Sequence, residues 1–221
     1  MKTLITLILF TGLALRTHAQ GIVYFSCGAG IQVGSRLTEG EFTMDMNGDG
    51  TMDFRFVSAT PFSGGFYLEP KNQNRILGYP SDAMASAYKV RRLGSGNDIS
   101  AAAAPSLEWV GYKPQPLSSV TGPYLLSSFG IGDSGGEFAP VGLGQPPEGY
   151  VGIRFFAADG LHYGWIRVRG GYFNDGTILD YAYNSVPGQT IAAGAVPEPS
   201  TWALMGLGLA ALCLLRKRSS A

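Results

Sequence analysis

Two apolar stretches separated by an Asp-Gly pair constrain the fold of this chain most strongly. Gly149–Ala157 and Leu161–Val168 are rich in β-branched and aromatic residues, and Asp159-Gly160 lies between them. In the second stretch, Ile166 and Val168 alternate with arginines, which is the period-two pattern of a strand with one buried face. An Asp-Gly pair between two such stretches is typical of a β-hairpin turn. The sequence therefore predicts an antiparallel hairpin here.

Further strand patterns extend this prediction to the whole region between the two chain ends. Glycine provides 32 of the 221 residues, about twice its usual share, and few stretches have a helical pattern. The region 61–105 is harder to interpret, and we expect loops there with at most one short helix, within Asp82–Arg92. The other expected strands are Gly21–Ser26, Phe66–Leu68, Leu107–Tyr112, Tyr124–Phe129, Thr177–Asn184 and Gln189–Ala192. The predicted fold class is all-β, a single antiparallel β-sandwich of jelly-roll type over residues 20–195.

An acidic turn lies between two more strand patterns. Phe42 and Met44 precede it, and Phe54 and Phe56 follow it after Met52, in each case alternating with polar residues. Period two on both sides predicts two half-buried strands. Gly50 allows the sharp bend of this turn. Residues that can offer an oxygen ligand occur at every second position: Asp45, Asn47, Asp49, Thr51 and Asp53.

This spacing fits a calcium site. Ca²⁺ takes six to eight oxygen ligands at about 2.3–2.6 Å, from carboxylates, amides and backbone carbonyls such as that of Thr51. An EF-hand would need a glutamate at the twelfth position, which is Phe56 here. The turn instead resembles the β-hairpin calcium loops with the pattern DxDxDGxxD. The alternative is a hairpin turn without metal, in which Asn-Gly and Asp-Gly pairs are common.

The N-terminus has the three parts of a secretory signal peptide. Lys2 supplies the positive charge, and Leu4–Leu15 is a nearly unbroken apolar stretch. Thr17-His18-Ala19 is an acceptable small-x-small cleavage site. We therefore expect signal peptidase to remove residues 1–19 by cutting between Ala19 and Gln20.

The C-terminus also has three parts in a fixed order. A Pro-Glu-Pro motif comes first, an apolar stretch from Trp202 to Leu215 follows, and a basic cluster closes the chain. The motif residues are Pro197, Glu198 and Pro199, and the basic residues are Arg216, Lys217 and Arg218. A helix of fourteen residues is about 21 Å long, which is short for a bilayer core of about 30 Å. Basic residues favour the cytoplasmic side, so we expect a single inner-membrane helix over 201–215 with a cytoplasmic C-terminus.

This order of motif, short helix and basic end resembles the PEP-CTERM sorting signal of Gram-negative bacteria. The resemblance covers VPEPSTWALMGLGLAALCLLRKR and implies recognition by an exosortase, a membrane cysteine transpeptidase-like enzyme. It also implies cleavage near Pro197–Pro199, with release or transfer to the cell surface. Such proteins are often associated with extracellular polysaccharide. An ordinary membrane anchor is the alternative. The expected division is a signal peptide over 1–19, an exported domain over 20–195 and a sorting signal over 196–221, with motif 196–200, helix 201–215 and tail 216–221. Gly194-Ala195 is expected to be a short linker to the tail.

Charge and cysteine content narrow the possible partners. Residues 20–200 contain eleven basic and sixteen acidic residues, a net charge of −5. This acidic balance argues against nucleic acid as a partner. Cys213 lies in the apolar tail and Cys27 stands alone in the exported part, so we expect no disulfide. Cys27 is interpreted as a small buried residue.

Two enzyme-like motifs do not support an enzyme. Gly132–Gly136 spells GDSGG, but a nucleophilic Ser134 needs a histidine base. The only histidine beyond the signal peptide is His162, which follows the serine and is interpreted as structural or surface-exposed. The GxGxxG pattern at Gly130–Gly135 lacks the following helix of a dinucleotide site. No catalytic residue is therefore predicted.

Three functions fit these features. The first is a non-enzymatic exported protein of the cell surface or extracellular matrix, processed through its tail. The second is a calcium-assisted carbohydrate-binding module or adhesin, which would have exposed aromatic residues near the acidic turn. The third is a secreted hydrolase, for which the sequence offers no complete catalytic set.

Overall fold

The structure, a computed structural model, describes residues 21–35, 37–59, 65–79, 89–102, 104–111, 124–127, 136–139, 145–172 and 175–197. Residues 22–196 pack as one unit. The signal peptide with its Ala19–Gln20 cleavage site, the predicted helix 201–215 and the basic tail lie outside the described residues. Within the described ranges, no helix is long and apolar enough to cross a membrane.

The described residues form fourteen strands. In chain order they are β1 (Ile22–Val33), β2 (Gly40–Met44), β3 (Phe54–Ser58), β4 (Gly65–Pro70), β5 (Arg75–Tyr79), β6 (Lys89–Val90), β7 (Arg92–Leu93), β8 (Asp98–Ile99), β9 (Glu108–Val110), β10 (Tyr124–Ser127), β11 (Glu148–Ala157), β12 (Gly160–Gly170), β13 (Gly176–Asn184) and β14 (Ile191–Ala192). The prediction of an all-β fold is confirmed.

One large sheet contains twelve of these strands. Its main order is β1-β13-β12-β11-β5-β6-β10-β4-β3-β2, with β7 on β11 and β9 on β5. Pairing is antiparallel except for one parallel pair between β10 and β6. Strands β8 and β14 form a separate two-stranded ribbon. The predicted hairpin is β11–β12, paired continuously from Glu148–Arg169 to Ala157–Gly160.

The main core lies between two parts of the large sheet. The apolar side chains of β2, β3 and β4 face those of β11, β12 and β13 in one cluster. Phe56 and Phe66 contribute from the first part, and Ile153, Phe155 and Ile166 from the second. Alternating buried and partly buried positions along β3 show that one face of this strand enters the main core. The period-two patterns predicted from sequence are therefore the core-facing residues.

A second core covers the opposite face of β5, β11, β12 and β13. At its centre Trp165 is only 1% exposed. Its direct neighbours across the sheet are Gly152 and Ala182. Leu77 and Leu93 pack over Gly152, where a Cβ atom would come within 3.2 Å of each. Tyr150 packs edge-on against that ring at 5.2 Å between centroids. The β8–β14 ribbon closes this core with the buried side chains of Ile99 and Ile191 and of neighbouring Ala193.

The region 61–105 differs most from expectation. It contains β4 to β8, although the sequence predicted loops and at most one helix beyond Phe66–Leu68. Strand β5 was missed because Ile76, Leu77 and Gly78 are all buried, so that no alternation marks it. The end of the predicted helix Asp82–Arg92 forms β6 and the start of β7 instead, and its residues 82–88 lie outside the described ranges.

Strand lengths also differ from those predicted. Strand β1 continues past Ser26 to Val33, because a shift of register between Ser26 and Ile31 absorbs Gly28 and Gly30 at positive φ. The last strand is shorter than the predicted Gln189–Ala192.

Replacing Trp165 with alanine should lower the free energy of unfolding by about 3–5 kcal/mol, the usual cost of removing a buried aromatic side chain. The control is Leu37→Ala, at a side chain that is 78% exposed, with an expected change within about 0.5 kcal/mol. Urea unfolding of the two purified variants measures both values. Equal stabilities would contradict the central position given to Trp165.

Candidate functional site

The acidic turn joins β2 to β3. The last cross-strand pair before it is Met44 with Phe54, and the Asp53 amide donates to the Met44 carbonyl at 2.8 Å. Gly48 and Gly50 have φ angles of 76° and 87°, which glycine adopts without strain. The predicted turn and its flanking strands are therefore in place.

Asp45 organises this turn through the backbone. Its Oδ1 accepts the amide hydrogens of Asn47, Gly48 and Asp49 at 3.3, 2.7 and 3.3 Å. Its Oδ2 accepts that of Gly50 at 2.7 Å. This is the local side-chain-to-backbone bonding by which an aspartate stabilises a turn. Amide groups of the turn itself thus partner the Asp45 carboxylate.

Asp49 and Asn47 form a second, exposed layer of the turn. The Asn47 amide donates to Asp49 Oδ2 at 2.9 Å, and the Thr51 backbone donates to Asp49 Oδ1 at 2.7 Å. The hydrogen bond from Asn47, followed by that from Thr51, lowers the pKa of Asp49 from its ordinary value. Asp49 is therefore ionised and faces solvent.

Asp53 points inward. Only 3% of the Asp53 surface is exposed to solvent. Oδ2 accepts the Met46 amide hydrogen at 2.9 Å, and Oδ1 accepts the Asn74 side-chain amide at 2.9 Å. Burial is the main cause that raises the pKa of Asp53 above its ordinary value. Of the predicted calcium ligands, Asp45, Asn47 and Asp49 thus share the turn, while the Asp53 carboxylate is held in the interior.

No group of three or more His, Cys, Asp or Glu side chains that could hold a metal ion occurs among the described residues. The acidic turn has the predicted order of residues, but its side chains are arranged around amide hydrogens. The calcium site stays a prediction.

Asn74 connects three parts of the domain. The sequence did not identify it as a candidate site residue. Its side-chain nitrogen donates to Asp53, and its Oδ1 accepts the Phe156 amide hydrogen at 3.0 Å. Asn74 is buried in the turn between β4 and β5, where Asn72 has a φ of 54°. The only sequence signal was two asparagines in a short polar segment, which indicates a turn and says nothing of its tertiary partners.

The second feature to consider is the segment of residues 189–195, which packs against the domain and is called the strap. It contains β14, which pairs with β8. The Ala193 amide donates to the Asn97 carbonyl at 2.8 Å, and the Gly96 amide donates to the Ala193 carbonyl at 2.9 Å. The Trp165 indole donates to the Ala195 carbonyl at 3.2 Å. The strap is therefore part of the second core.

The prediction that Gly194-Ala195 is a linker is wrong. A Cβ atom at Gly194 would lie 2.8 Å from the Tyr150 hydroxyl, so this glycine is in close contact with the domain. Ala195 packs against the second core. The exposed chain begins at Val196 and Pro197. Glu198, Pro199 and the basic residues Arg216, Lys217 and Arg218 lie outside the described residues.

His162, which the sequence offered as a possible catalytic base, has a structural role in the fold. His162 is buried, with Nδ1 at 2.7 Å from the Asn184 carbonyl oxygen and Nε2 at 2.8 Å from Asp159. Its ring stacks on Phe155, so it belongs to the main core. Ser134 lies outside the described residues. Cys27 is free and half-buried, which is more exposed than expected.

The fold and the strap define a class of protein: an all-β domain whose last docked residue, Ala195, is also the first residue of a C-terminal signal. That signal is the PEP-CTERM protein-sorting motif, whose family model matches residues 195–218. The motif marks an exosortase-sorted protein, and PEP-CTERM proteins are exported and cell-surface associated. Searches of curated proteins and of solved structures found no match.

Replacing Asn74 with alanine should destabilise the protein by about 2–4 kcal/mol, because it leaves Oδ1 of the buried Asp53 carboxylate and the Phe156 amide each without this partner. The matched control is Asn47→Ala on the exposed turn, with an expected loss below about 1 kcal/mol. Thermal and urea unfolding compare the two variants. An Asn74 variant as stable as the Asn47 variant would show that the connection carries no stability.

Proposed function

We propose that this chain is a non-enzymatic exported protein of the cell surface or extracellular matrix, whose β domain is the functional part and whose tail is removed by exosortase. The observation that carries the proposal is the sorting motif at residues 195–218. Its start coincides with the last docked residue of the domain, Ala195. The domain is further proposed to be a β-sandwich of jelly-roll type, since two parts of its sheet share the main core.

The position of the strap supports cleavage near Pro197–Pro199. Within the described ranges, the hydrogen bonds that hold the strap are made at or before Ala195, and Val196 is exposed. A cut two to four residues further on removes none of these contacts. Cleavage therefore leaves the second core closed.

The position of β1 agrees with processing at the other end. Strand β1 begins at Ile22, two residues after the proposed signal peptidase cut before Gln20. The two proposed cuts thus lie immediately outside the packed residues 22–196. In this proposal the precursor spans the inner membrane once, transiently, with its C-terminus in the cytoplasm.

The mature protein isolated from the cell surface of its own host should end near Pro197–Pro199 and begin at Gln20. Intact mass and terminal peptides measure both ends. Glu198→Ala, which disrupts the Pro-Glu-Pro motif, should leave Trp202 to Ala221 attached. Glu108→Ala, at an exposed glutamate of β9, is the control and should be processed normally. A wild-type surface form that keeps its tail would contradict exosortase cleavage.

A second proposal is a calcium-assisted carbohydrate-binding module or adhesin. The observation that favours it is an exposed aromatic ring close to the acidic turn. Phe156 is 49% exposed, and its amide hydrogen bonds to Asn74, which in turn binds Asp53. Exposed aromatic rings provide flat apolar surface for ligands, and an associated extracellular polysaccharide is the proposed partner.

Calcium in this proposal is held by the turn. The carboxylates of Asp45 and Asp49 and the amide oxygen of Asn47 supply side-chain oxygens, and the Thr51 carbonyl and Asp53 complete the predicted set. The hydrogen bonds that Asn47 and Asp49 make to each other would be exchanged for bonds to the cation. Five ligand groups from one short turn suit the weak sites typical of extracellular modules.

Adding EDTA should lower the melting temperature of the purified protein if calcium binds the turn, because a ligand stabilises only the state that binds it. Asp49→Asn is the control: it keeps the turn but removes one charged ligand, so its melting temperature should respond much less. An unchanged wild-type melting temperature, with no calcium by elemental analysis, would contradict the site.

A further inference from the structure

Two arginines lie side by side on the sheet face that carries the second core. Arg75 on β5 is the direct cross-strand neighbour of Arg154 on β11. Residues directly opposite each other in an antiparallel pair project to the same face with their Cβ atoms about 5 Å apart, and like charges in this position destabilise a sheet. No strand was predicted around Arg75, so the sequence did not predict that Arg75 and Arg154 are neighbours.

Each guanidinium group rests on a fixed surface. The Arg154 Cζ atom lies 5.0 Å from the centre of the Trp109 ring, within cation–π distance. A Cβ atom at Gly111 would lie within 3.1 Å of the Arg75 atoms Cδ, Nε and Cζ, so the Arg75 side chain lies on the backbone there. Arg75 Nη1 also donates to the Asn74 carbonyl at 2.7 Å. Both cations are therefore positioned by packing rather than by an acid.

Arg75 and Arg154 are half-buried without an acidic neighbour, whereas Arg92, the other described arginine without one, is exposed. Within the described part of the chain, no carboxylate lies within 4.0 Å of Arg75 or Arg154. The described arginines that do have an acidic partner are Arg55, Arg91, Arg167 and Arg169. Burial is the main cause that lowers the pKa of Arg154, and the charge of Arg75 lowers it further.

Two donors in this cluster lack acceptors. Arg154 Nε and Trp109 Nε1 are buried, and neither has a hydrogen-bond partner among the residues that the structure describes. Both groups can only donate, and a buried donor without an acceptor costs free energy. An anion beside the two guanidinium groups would meet two positive charges in a cluster that has no acceptor of its own for these donors.

We propose that Arg75, Arg154 and Trp109 form a binding site for the carboxylate group of an acidic saccharide. Paired guanidinium groups match a planar carboxylate through parallel N–H donors. Phe156 lies two residues beyond Arg154 on the same strand, hence on the same face, and its exposed ring offers apolar surface for the sugar ring. The site shares the Phe156 ring with the calcium-assisted proposal, but it uses no residue of the acidic turn and needs neither calcium nor exosortase, so it can fail while the proposed sorting function stands.

Calorimetric titration of the purified full-length protein at constant ionic strength tests the site. The probes are sodium glucuronate, polygalacturonate and neutral dextran. Glucuronate and polygalacturonate should bind, and Arg75→Gln or Arg154→Gln should weaken binding by about tenfold or more, because each removes a charge-assisted donor. Arg92→Gln is the matched control. It removes the same charge from an exposed arginine of β7 and should change affinity within about twofold, since solvent screens it.

The two acidic probes separate the sources of the carboxylate. Equal affinity per uronate supports a free sugar acid as the ligand, and tighter binding of the polymer supports a glycan. Dextran binding as tight as that of polygalacturonate would overturn the proposal. Equal loss in the Arg75 and Arg92 variants would also overturn it, because the effect would then be one of general charge.

Melting temperatures provide a second measurement that does not depend on affinity. Without ligand, Arg75→Gln should keep or raise the melting temperature, because it removes repulsion between like charges. With glucuronate, the wild type should gain stability and Arg75→Gln should not. A wild type that is indifferent to glucuronate, with an Arg75 variant that melts earlier, would assign Arg75 a structural role only.

Discussion

The structure depends on one sheet segment that is buried on both faces. Strands β11, β12 and β13 contribute Ile153, Ile166 and Ile178 to the main core and Trp165 to the second. Next to Trp165 in the sheet, Gly152 lets Leu77 and Leu93 pack directly on the backbone, where a Cβ atom would come within 3.2 Å of each. A sheet buried on both faces needs two covering layers. The β2–β4 part of the sheet provides one, and the strap with β8 provides the other.

This arrangement explains where the polar groups lie. On the outer face of β3, Arg55 bonds to Glu41 at 2.7 Å and to Glu69 at 3.1 Å, so charges alternate across neighbouring strands. On β12, Arg167 bonds to Asp180 at 2.6 Å. These pairs follow the ordinary rule for cross-strand neighbours. The Arg75–Arg154 pair breaks the rule on a half-buried surface, and departures of this kind are expected at functional sites.

Strands were predicted most accurately where one face of the strand is buried and the other is exposed to solvent. The hairpin β11–β12 and the strands around the acidic turn alternate clearly, and the Asp-Gly and Asn-Gly pairs mark their turns. Strand β5 carries no alternation because both of its faces are covered. Which distant segment covers a strand is decided by tertiary packing, and a single sequence contains no pattern for it.

The same limit applies to the sites. The sorting motif was recognisable because its three parts are contiguous in sequence. The order of the possible ligands in the acidic turn could also be predicted from the sequence. The inward position of Asp53 could not, because Asp53 bonds to Asn74, which lies in another turn. Arg75, Trp109 and Arg154 come from three separate strands. Their proximity follows from the pairing of β5 with β11 and β9, for which no local signal exists.

Native-state hydrogen exchange at the strap tests most directly whether the folded domain extends to Ala195. The Ala193 amide is bonded to the Asn97 carbonyl, and in the mature protein it should exchange nearly as slowly as the amides of β12, since buried, bonded amides open only with the surrounding structure. An Ala193 amide that exchanges as fast as an exposed loop would show that the strap is a free linker, and the second core would then lack its cover.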